Sequence, residues 1–323
     1  MDDRPALQVR DLQTYFFTKR GVGKAVDGVS FDLRRGETLG LVGESGCGKS
    51  MACMSVMRLN PRPASRIVNG QVLLNGEDLL QKSDKEMRRV RGKHIAVILQ
   101  DPMTALNPVF TIGNQLSEPL RIHQNLRGRR LKQRAIELLR MLNIPTAESR
   151  LHSFPHHFSG GMRQRSVGSI ALSCDPEVII ADEPTTSLDV TIQAAFLELL
   201  KDLQRQSNLA ILFVTHDFGV VARMCDRVAV MYAGKIVETA ETQRLFSAPA
   251  HPYAEALLRS VPEVNTQIER LYAIEGQPPS IFDLPQGCAF APRCSYAQPH
   301  CWQEFPPVVE LADGHTVSCW RHV

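Results

Sequence analysis

The fold of this chain is decided by Gly43-Glu44-Ser45-Gly46-Cys47-Gly48-Lys49-Ser50. This stretch follows an apolar run, Thr38–Val42, that is typical of a buried strand, and it has the spacing of a phosphate loop between a strand and a helix. Its glycines let backbone N–H groups close around phosphate oxygens, Lys49 supplies positive charge to the β and γ phosphates, and the Ser50 hydroxyl suits Mg²⁺. The stretch, with Met51 after it, therefore predicts an α/β fold that binds a nucleoside triphosphate.

The second half of the predicted nucleotide site is an apolar run, Val178–Ala181, followed by Asp182 and Glu183. Doubly wound sheets bind ligands at the carboxyl ends of their strands, so both acids are placed to act on a nucleotide. We expect Asp182 to hold Mg²⁺ through water, and Glu183 to orient and deprotonate the water that attacks the γ phosphate. The alternative is a solvated strand end, and it is weakened because Pro184 stops the strand directly after the acids.

A third apolar run, Leu209–Thr215, is followed by His216. A lone histidine after a strand is more often a structural residue than a catalytic one. Because this one follows a phosphate loop and an acidic strand in the same α/β unit, we interpret His216 as a γ-phosphate sensor that stabilises developing charge.

Two further motifs resemble those of a known family. Phe158-Ser159-Gly160-Gly161-Met162-Arg163-Gln164-Arg165 resembles the signature motif of ATP-binding cassettes (ABC), and Gln100-Asp101-Pro102 resembles their Q-loop. The resemblance implies that the Ser-Gly-Gly residues bind the γ phosphate held by an opposing cassette, so that two cassettes close on ATP. Phe158 and Met162 depart from the commonest pattern, where Leu and Gln stand, but they lie at the edges of the motif and not in its Ser-Gly-Gly centre, so they put little in doubt. The implied nucleotide contacts outside the phosphate loop are Gln100, Asp182, Ser159, Gly160, Gly161 and Asp189, with Ser50, Gln100 and Asp182 holding Mg²⁺, and Glu183, His216, Gln100 and Lys49 serving catalysis.

The resemblance becomes more specific near the C-terminus. Ala250–Leu258 and Gly287–Cys294 resemble the extension of oligopeptide and dipeptide (Opp/Dpp) importer ATPases, the D-type subunit in particular, and the similarity covers essentially the whole chain. It implies a RecA-like P-loop NTPase fold with an antiparallel β-subdomain. The cassette would span residues 1–245, with an inserted helical subdomain at about 101–173, and a small cysteine-rich extension would span 246–323. By the same resemblance Phe16 stacks on the adenine, and simple packing within the β-subdomain is the alternative for this ring.

The resemblance implies an ATPase subunit that powers import of di- and oligopeptides by ATP-dependent closure with a second cassette. The implied partners are a homologous second ATPase subunit, two transmembrane permease subunits and a periplasmic or lipid-anchored solute-binding protein. Two alternatives stay open: the ATPase of an importer for nickel or another small solute, and a soluble ABC ATPase without a transport role. The soluble class is disfavoured because the chain has neither a second phosphate loop nor sustained heptads.

Cysteine is concentrated near the C-terminus, where Cys288, Cys294, Cys301 and Cys319 make up half of the eight in the chain. In a reducing compartment, clustered thiols favour metal or cluster ligation over disulfides. The spacing lacks a C-x-x-C pair, which weakens a structural zinc site without excluding zinc. By resemblance, the four hold a [4Fe–4S] cluster that fastens a proline-rich extension. Because the cassette has its own core, we expect loss of one ligand to leave the phosphate-loop chemistry largely intact.

Charge and hydropathy limit the function classes. The net charge is +3, and no aromatic residues interleave the one basic run, so a solvated helical face is the better interpretation and no nucleic-acid partner is expected. The N-terminus lacks the pattern of a secretory signal, and no stretch approaches the ~20 apolar residues of a bilayer crossing. We therefore expect a peripheral protein on the cytoplasmic face of the inner membrane, held there by its partners. The basic run comprises Arg121, Arg127, Arg129, Arg130, Lys132 and Arg134.

Overall fold

The computed structural model describes residues 4–186, 188–261, 272–312 and 314–323. Within them, strands and helices follow each other in an α/β order. The strands are β1 (Leu7–Thr18), β2 (Gly21–Leu33), β3 (Thr38–Val42), β4 (Ser65–Leu74), β5 (Glu77–Asp78), β6 (Ile95–Ile98), β7 (Val178–Asp182), β8 (Ala210–Thr215), β9 (Arg227–Tyr232), β10 (Lys235–Glu241), β11 (Val309–Ala312) and β12 (His315–Val317). The α-helices are α1 (Lys49–Val56), α2 (Asp84–Val90), α3 (Pro102–Ala105), α4 (Ile112–Gln124), α5 (Gly128–Met141), α6 (Ala147–Arg150), α7 (Gly160–Leu172), α8 (Val190–Ser207), α9 (Phe218–Met224), α10 (Thr242–Ser247) and α11 (Pro252–Arg259).

The chain divides into two compact units, each made of separate segments. The first unit holds the residues up to Leu7, Leu33–Glu37 and Gln81–Val214. In it β6 pairs with β7 and β7 with β8, all in parallel. Every residue of β7 and β8 is buried, as expected for parallel strands that are covered on both faces.

Helices α3 to α7 of the first unit fill most of the region in which the sequence predicted a helical insertion. The predicted apolar face of residues 134–142 is present, since Ala135, Leu138 and Leu139 of α5 are buried. Helix α7 packs on α3, α4 and α5 and also contacts β6. The first unit thus joins the start of α7, where the Ser-Gly-Gly motif lies, to the strand that precedes Gln100.

The second unit holds Gln8–Asp32, Thr38–Leu80 and the chain from Thr215 onward. One of its sheets has the strand order β2-β1-β4-β5, with β4 and β5 antiparallel, and it is the predicted β-subdomain. A second series of strands runs β11-β12-β10-β9-β3. Strand β3 is buried at every residue and pairs in parallel with β9, from Leu39 opposite Arg227 to Val42 opposite Val230. The phosphate loop leaves the end of this buried strand.

The C-terminal extension is built onto the strands of the second unit. β12 pairs with β10 in antiparallel register, with Glu238 opposite Val317. The carboxylate of Glu238 is buried and accepts hydrogen bonds from the N–H groups of Ala250 (2.8 Å) and His251 (2.7 Å). It also lies 2.8 Å from Nε2 of His315 on β12. One buried carboxylate therefore fixes both the strand and the approach to α11.

The structure can be compared with the expectations for membrane spans and for domain boundaries. No helix in the described part of the chain has both the length and the apolar character that a bilayer crossing requires. The proposed boundary between residues 245 and 246 stays a prediction, and so do the limits 101 and 173 of the helical insertion. Residues 262–271 of the extension lie outside the described residues.

Replacing Glu238 with alanine removes the acceptor of this buried network and leaves two N–H groups and His315 without it. We expect the free energy of unfolding to fall by about 3 kcal/mol, because each buried donor left without its acceptor costs about 1–3 kcal/mol. Urea denaturation of the purified chain measures the loss. Glu241→Ala, at the exposed end of the same strand, is the matched control. An equal loss in both variants would contradict the prediction.

Candidate functional site

The phosphate loop has a backbone that only glycine can supply at two positions. Gly48 has a φ of 110°, and a Cβ there would lie 2.2 Å from the carbonyl oxygen of Ala25. Gly43 has a φ of 153°, and its Cβ would lie 2.2 Å from the carbonyl oxygen of Met231. Real Cβ atoms do not approach backbone oxygens so closely, and these φ values disfavour L side chains. The loop is therefore packed against neighbouring backbone at both ends.

Lys49 begins α1 and folds back over its own loop. Its Nζ donates to the carbonyl oxygens of Gly43 (2.7 Å) and Glu44 (3.0 Å), and it lies 3.7 Å from Sγ of Cys47. The residue is 5% exposed. Gly48 is the N-cap of α1 and provides no side-chain acceptor for the first N–H groups of the helix. The loop thus presents a buried ammonium and a helix N-terminus together, which is the arrangement that binds phosphate.

In the first unit, Gln100 and Glu183 lie side by side. Nε2 of Gln100 donates to Oε2 of Glu183 at 2.8 Å, and Oγ1 of Thr186 donates to the same oxygen at 3.1 Å. Glu183 has a φ of 45°, in the left-handed region that residues other than glycine rarely adopt. Its N–H donates to the carbonyl oxygen of Val214 at 2.9 Å, so this backbone is held by the neighbouring strand. Strain of this kind gathers at functional sites.

Asp182 and His216, the predicted γ-phosphate sensor, lie at the carboxyl ends of two buried strands. Asp182 is the last residue of β7 and is 6% exposed. His216 directly follows β8 and is exposed. Beside it, Asp217 accepts hydrogen bonds from the N–H groups of Gly219 (2.8 Å) and Val220 (3.2 Å) and caps α9. Asp217 therefore has a local structural role, and the sensor role of His216 stays a prediction.

The Ser-Gly-Gly residues form the start of α7. Ser159 is the N-cap, with its Oγ accepting from the N–H of Met162 at 3.4 Å, and Ser159 and Gly160 are exposed. A Cβ at Gly161 would lie 3.0 Å from Cγ2 of Ile192, so α7 packs closely on α8 at this point. Asp189 caps α8 by accepting from the N–H of Ile192 at 3.0 Å. Sequence reasoning assigned Asp189 to the nucleotide and missed this capping role.

Three neighbouring aromatics on β1 differ in their surroundings. The Tyr15 hydroxyl hydrogen-bonds to Asp27, and the Tyr15 ring lies 5.6 Å from the Lys24 ammonium. The Phe17 ring lies 5.5 Å from the Arg66 guanidinium. Phe16, the half-buried residue between them, is the one that the sequence assigned to adenine. The assignment of Phe16 to adenine stays a prediction.

The C-terminal cysteines converge. Cys288, Cys294, Cys301 and Cys319 all line one cavity of about 20 Å³, and each is a free thiol. Burial raises the pKa of Cys288 to about 11, and burial also raises the pKa of Cys294 and of Cys319. Among the described residues, no three His, Cys, Asp or Glu side chains surround a point suited to a single metal ion. The structure thus places four free thiols along one small cavity.

His251 lines the same cavity and was not singled out from the sequence. It is 1% exposed, and burial lowers the pKa of its imidazole to about 3, so the ring is neutral. Nδ1 accepts a hydrogen bond from the N–H of Tyr253 at 3.0 Å, which places the proton on Nε2. Within the described residues Nε2 has no hydrogen-bond partner. A buried donor without a partner at a cysteine-lined cavity suits a bound sulfur-containing group.

Family comparisons agree with these motifs. Residues 26–186 match the family described as ABC transporter, and residues 237–301 match the one described as oligopeptide/dipeptide transporter, C-terminal region. The chain is 48% identical to the probable peptide ABC transporter ATP-binding protein y4tR of Sinorhizobium fredii, over 98% of this chain and 94% of that protein. It is also 48% identical to the oligopeptide transport ATP-binding protein AppD of Bacillus subtilis, over 98% of this chain and 96% of AppD.

A further similar protein is the dipeptide transport ATP-binding protein DppD of Bacillus subtilis, at 48% identity over 97% of this chain and 94% of DppD. Among solved structures, the fold resembles the ATP-binding cassette MJ0796 in a dimeric, post-hydrolysis state with ADP and Pi. That likeness has a TM-score of 0.67 at 24% identity and covers 73% of this chain and 98% of the other. At this identity it concerns the fold alone. The predicted α/β cassette fold is confirmed.

Gly48→Ala tests the packing of the phosphate loop. The new methyl group would overlap the carbonyl of Ala25, so the loop must move and we expect ATP affinity to fall at least tenfold. Titration with a fluorescent ATP analogue and Mg²⁺ measures the affinity. Gly76→Ala is the control, since Gly76 also has a positive φ (87°) but a Cβ there meets nothing within 4 Å. Equal affinities for Gly48→Ala and the parent chain would contradict the loop geometry.

Proposed function

The chain belongs to the D-type ATP-binding subunits of the oligopeptide/dipeptide (Opp/Dpp/App) ABC transporters, and we propose how its residues carry out the work of that subunit. It is the ATP-binding subunit of a di/oligopeptide import system and an ABC transporter ATPase. The peptide assignment is carried by the match of residues 237–301 to the C-terminal region of oligopeptide/dipeptide transporters, a region that the ABC transporter match at residues 26–186 does not include.

ATP is bound by the phosphate loop. Backbone N–H groups of Gly43–Met51 surround the phosphates, and the Lys49 ammonium exchanges the carbonyl oxygens of its own loop for β and γ phosphate oxygens. Ser50, Gln100 and Asp182 hold Mg²⁺ directly or through water. The adenine stacks on Phe16. The support for this last contact is that the neighbouring rings of Tyr15 and Phe17 already face Lys24 and Arg66.

Glu183 is the general base for hydrolysis. The hydrogen bonds from Gln100 and Thr186 orient its carboxylate, and the strained backbone fixes the direction in which the side chain leaves β7. It takes a proton from the attacking water, while Lys49 offsets the charge on the transferred phosphoryl group. A bound Mg²⁺ would add positive charge at the same phosphates. Gln100 positions that water, and His216 stabilises the developing negative charge.

The signature motif serves a nucleotide held by another cassette. Ser159, Gly160 and Gly161 begin α7, a helix of 13 residues, and its exposed N-terminus favours an anion. Asp189 lies beside it as the cap of α8. A chain with one phosphate loop and one signature motif cannot complete two composite sites alone. It needs either a second copy of itself or a homologous second ATPase subunit, and the family favours the homologous subunit.

The chain works within an ABC transporter complex. Its remaining partners are two transmembrane permease subunits and a periplasmic or lipid-anchored solute-binding protein, and the chain lies peripherally on the cytoplasmic face of the inner membrane. Purification of the tagged chain from its native membrane tests this assembly. We expect two permeases and a second cassette in stoichiometric amounts. Recovery of the chain without any permease would contradict the transport role.

Cys288, Cys294, Cys301 and Cys319 would hold a [4Fe–4S] cluster, with zinc as the alternative occupant. The support is the donor chemistry, namely four free thiols and the unpartnered Nε2 of His251 at one cavity. The cavity itself, about 20 Å³, holds little more than a water molecule, so the thiols must move apart on loading. A bound cluster would supply Fe–S bonds that cross-link chain segments. ATP-driven import needs no electron transfer, so its role is structural.

Glu183→Gln keeps the shape of the side chain and removes the base. We expect ATP affinity to be retained and hydrolysis to slow on the order of a hundredfold, the scale for a lost general base. Phosphate release by the assembled complex, with the partner cassette's own site disabled, measures the rate. Glu198→Gln, at an exposed position of α8, is the isosteric control. A Glu183→Gln site that turns over at the parent rate would show that another group is the base.

Anaerobic purification tests the cysteine centre. We expect about four iron and four sulfide per chain, because four thiolates suit one such cluster. Cys301→Ser should lose the iron, whereas Cys174→Ser, a change at a buried cysteine outside the cavity, should keep it. One zinc per chain and no iron would show that the site binds zinc and not a cluster. Disulfides among the four in protein kept reduced would exclude both occupants.

A further inference from the structure

The cysteine segment contacts the phosphate loop through Arg293. Arg293 lies between Cys288 and Cys294, and its side chain is only 4% exposed. Its Nη1 donates to Oε2 of Glu44 at 2.7 Å and its Nη2 donates to Oε1 at 2.9 Å. This is a bidentate guanidinium–carboxylate pair in which each nitrogen donates to a different carboxylate oxygen. Such pairs fix direction as well as distance.

The other donors of the guanidinium are also engaged. Nε of Arg293 donates to the carbonyl oxygen of Glu275 at 2.9 Å, and Nη1 lies 3.2 Å from the hydroxyl of Tyr232. Hydrogen bonding to Glu44 raises the pKa of Arg293 further above its ordinary value, so the charge is permanent. Tyr232 is the last residue of β9, the strand beside β3. The arginine therefore holds Glu44 against a fixed strand end.

The backbone of Glu44 is held by the extension as well. Its N–H donates to the hydroxyl oxygen of Tyr253 on α11 at 2.8 Å. Tyr253 is fully buried, with its ring centroid 4.5 Å from that of Tyr232 and 5.3 Å from that of Phe290. Phe290 belongs to the same segment as Arg293 and precedes the short 3₁₀ turn Ala291–Arg293. Both the side chain and the peptide N–H of Glu44 are thus hydrogen-bonded to residues of the extension, Arg293 and Tyr253.

Glu44 in turn bears on the phosphate-binding lysine. Its carbonyl oxygen is one of the two that accept hydrogen bonds from Nζ of Lys49. Moving Glu44 would displace that carbonyl and change the position of the ammonium. A chain of direct contacts therefore runs from the cysteine segment through Arg293 to Lys49.

We propose that Arg293 and Tyr253 are positioning residues for ATP binding, and that through them the cysteine centre sets the affinity of the phosphate loop for nucleotide. The inference rests on the proposed function of that loop. It opposes the expectation from sequence that loss of a cysteine ligand leaves the phosphate-loop chemistry largely intact. The contacts of Glu44 make the loop and the extension one mechanical element.

The test compares Arg293→Gln and Tyr253→Phe in the full-length chain, with Arg259→Gln as the matched control. Arg259 pairs with Glu255 on α11, so its loss removes an arginine–glutamate pair of the extension that is separate from the hydrogen bonds of Tyr253 and Arg293 to Glu44. A fluorescent ATP analogue with Mg²⁺ reports affinity. We expect a loss of at least tenfold for Arg293→Gln, a smaller loss for Tyr253→Phe, and no change for Arg259→Gln.

Steady-state kinetics of the assembled complex separate positioning from general destabilisation. We expect the KM for ATP to rise about tenfold in Arg293→Gln with kcat within twofold of the parent, because saturating ATP restores the loop. A fall in kcat with unchanged KM would overturn the positioning role. If Arg293→Gln does not fold, Tyr253→Phe decides, since it removes one hydroxyl and keeps the ring.

The dependence on the cysteine centre is tested by Cys294→Ser. We expect the same direction of change in ATP affinity as for Arg293→Gln, and no further loss when both changes are combined. Parent-like affinity in Cys294→Ser would overturn the proposed link to the cysteine centre. If the parent chain itself fails to bind ATP, the proposed nucleotide site is wrong and the inference falls with it. If the parent binds and all variants match it, the inference alone fails.

Discussion

The nucleotide-binding half of this molecule depends on one steric constraint, the contact of the phosphate loop with neighbouring backbone. Carbonyl oxygens of Met231 and Ala25 lie where side chains at Gly43 and Gly48 would be. Because neighbouring backbone fills the space on both sides, the loop has little conformational freedom. Lys49 folds back over the loop and donates hydrogen bonds to the loop's own carbonyl oxygens. Phosphate oxygens can take the place of these carbonyls without rebuilding the loop. Because the loop is already formed, it holds the ammonium of the flexible Lys49 side chain in place for phosphate.

Much of the fold and many site residues follow from the sequence because they are local. Three of the motifs lie within short stretches of sequence: a glycine-rich loop after one apolar run, an acidic pair after a second apolar run, and a Ser-Gly-Gly motif. Hydrophobic periodicity predicts the strands and helices that carry them. The cysteines could be grouped because they are close in the chain. In the structure they line one cavity, and a shared ligand stays a prediction.

The contacts that the sequence could not predict join residues far apart in the chain. Arg293 and Glu44 are separated by 249 positions, and Tyr253 and Glu44 by 209. An arginine inside a cysteine-rich run, or a tyrosine on an apolar helix face, has no local pattern that identifies its partner. The same is true of Glu238, whose buried carboxylate is explained only when β12 is seen beside β10. Long-range hydrogen bonds of buried charges are the part of a fold that periodicity does not encode.

The central claim is that this chain uses ATP to drive peptide import. Its most direct test is uptake of a labelled dipeptide into proteoliposomes that contain the purified complex, with loaded binding protein on one side and ATP on the side of this chain. The account predicts accumulation against a gradient that requires hydrolysable ATP. Accumulation of nickel ions but not of di- or oligopeptides under the same conditions, or ATP hydrolysis with no solute accumulated, would contradict it.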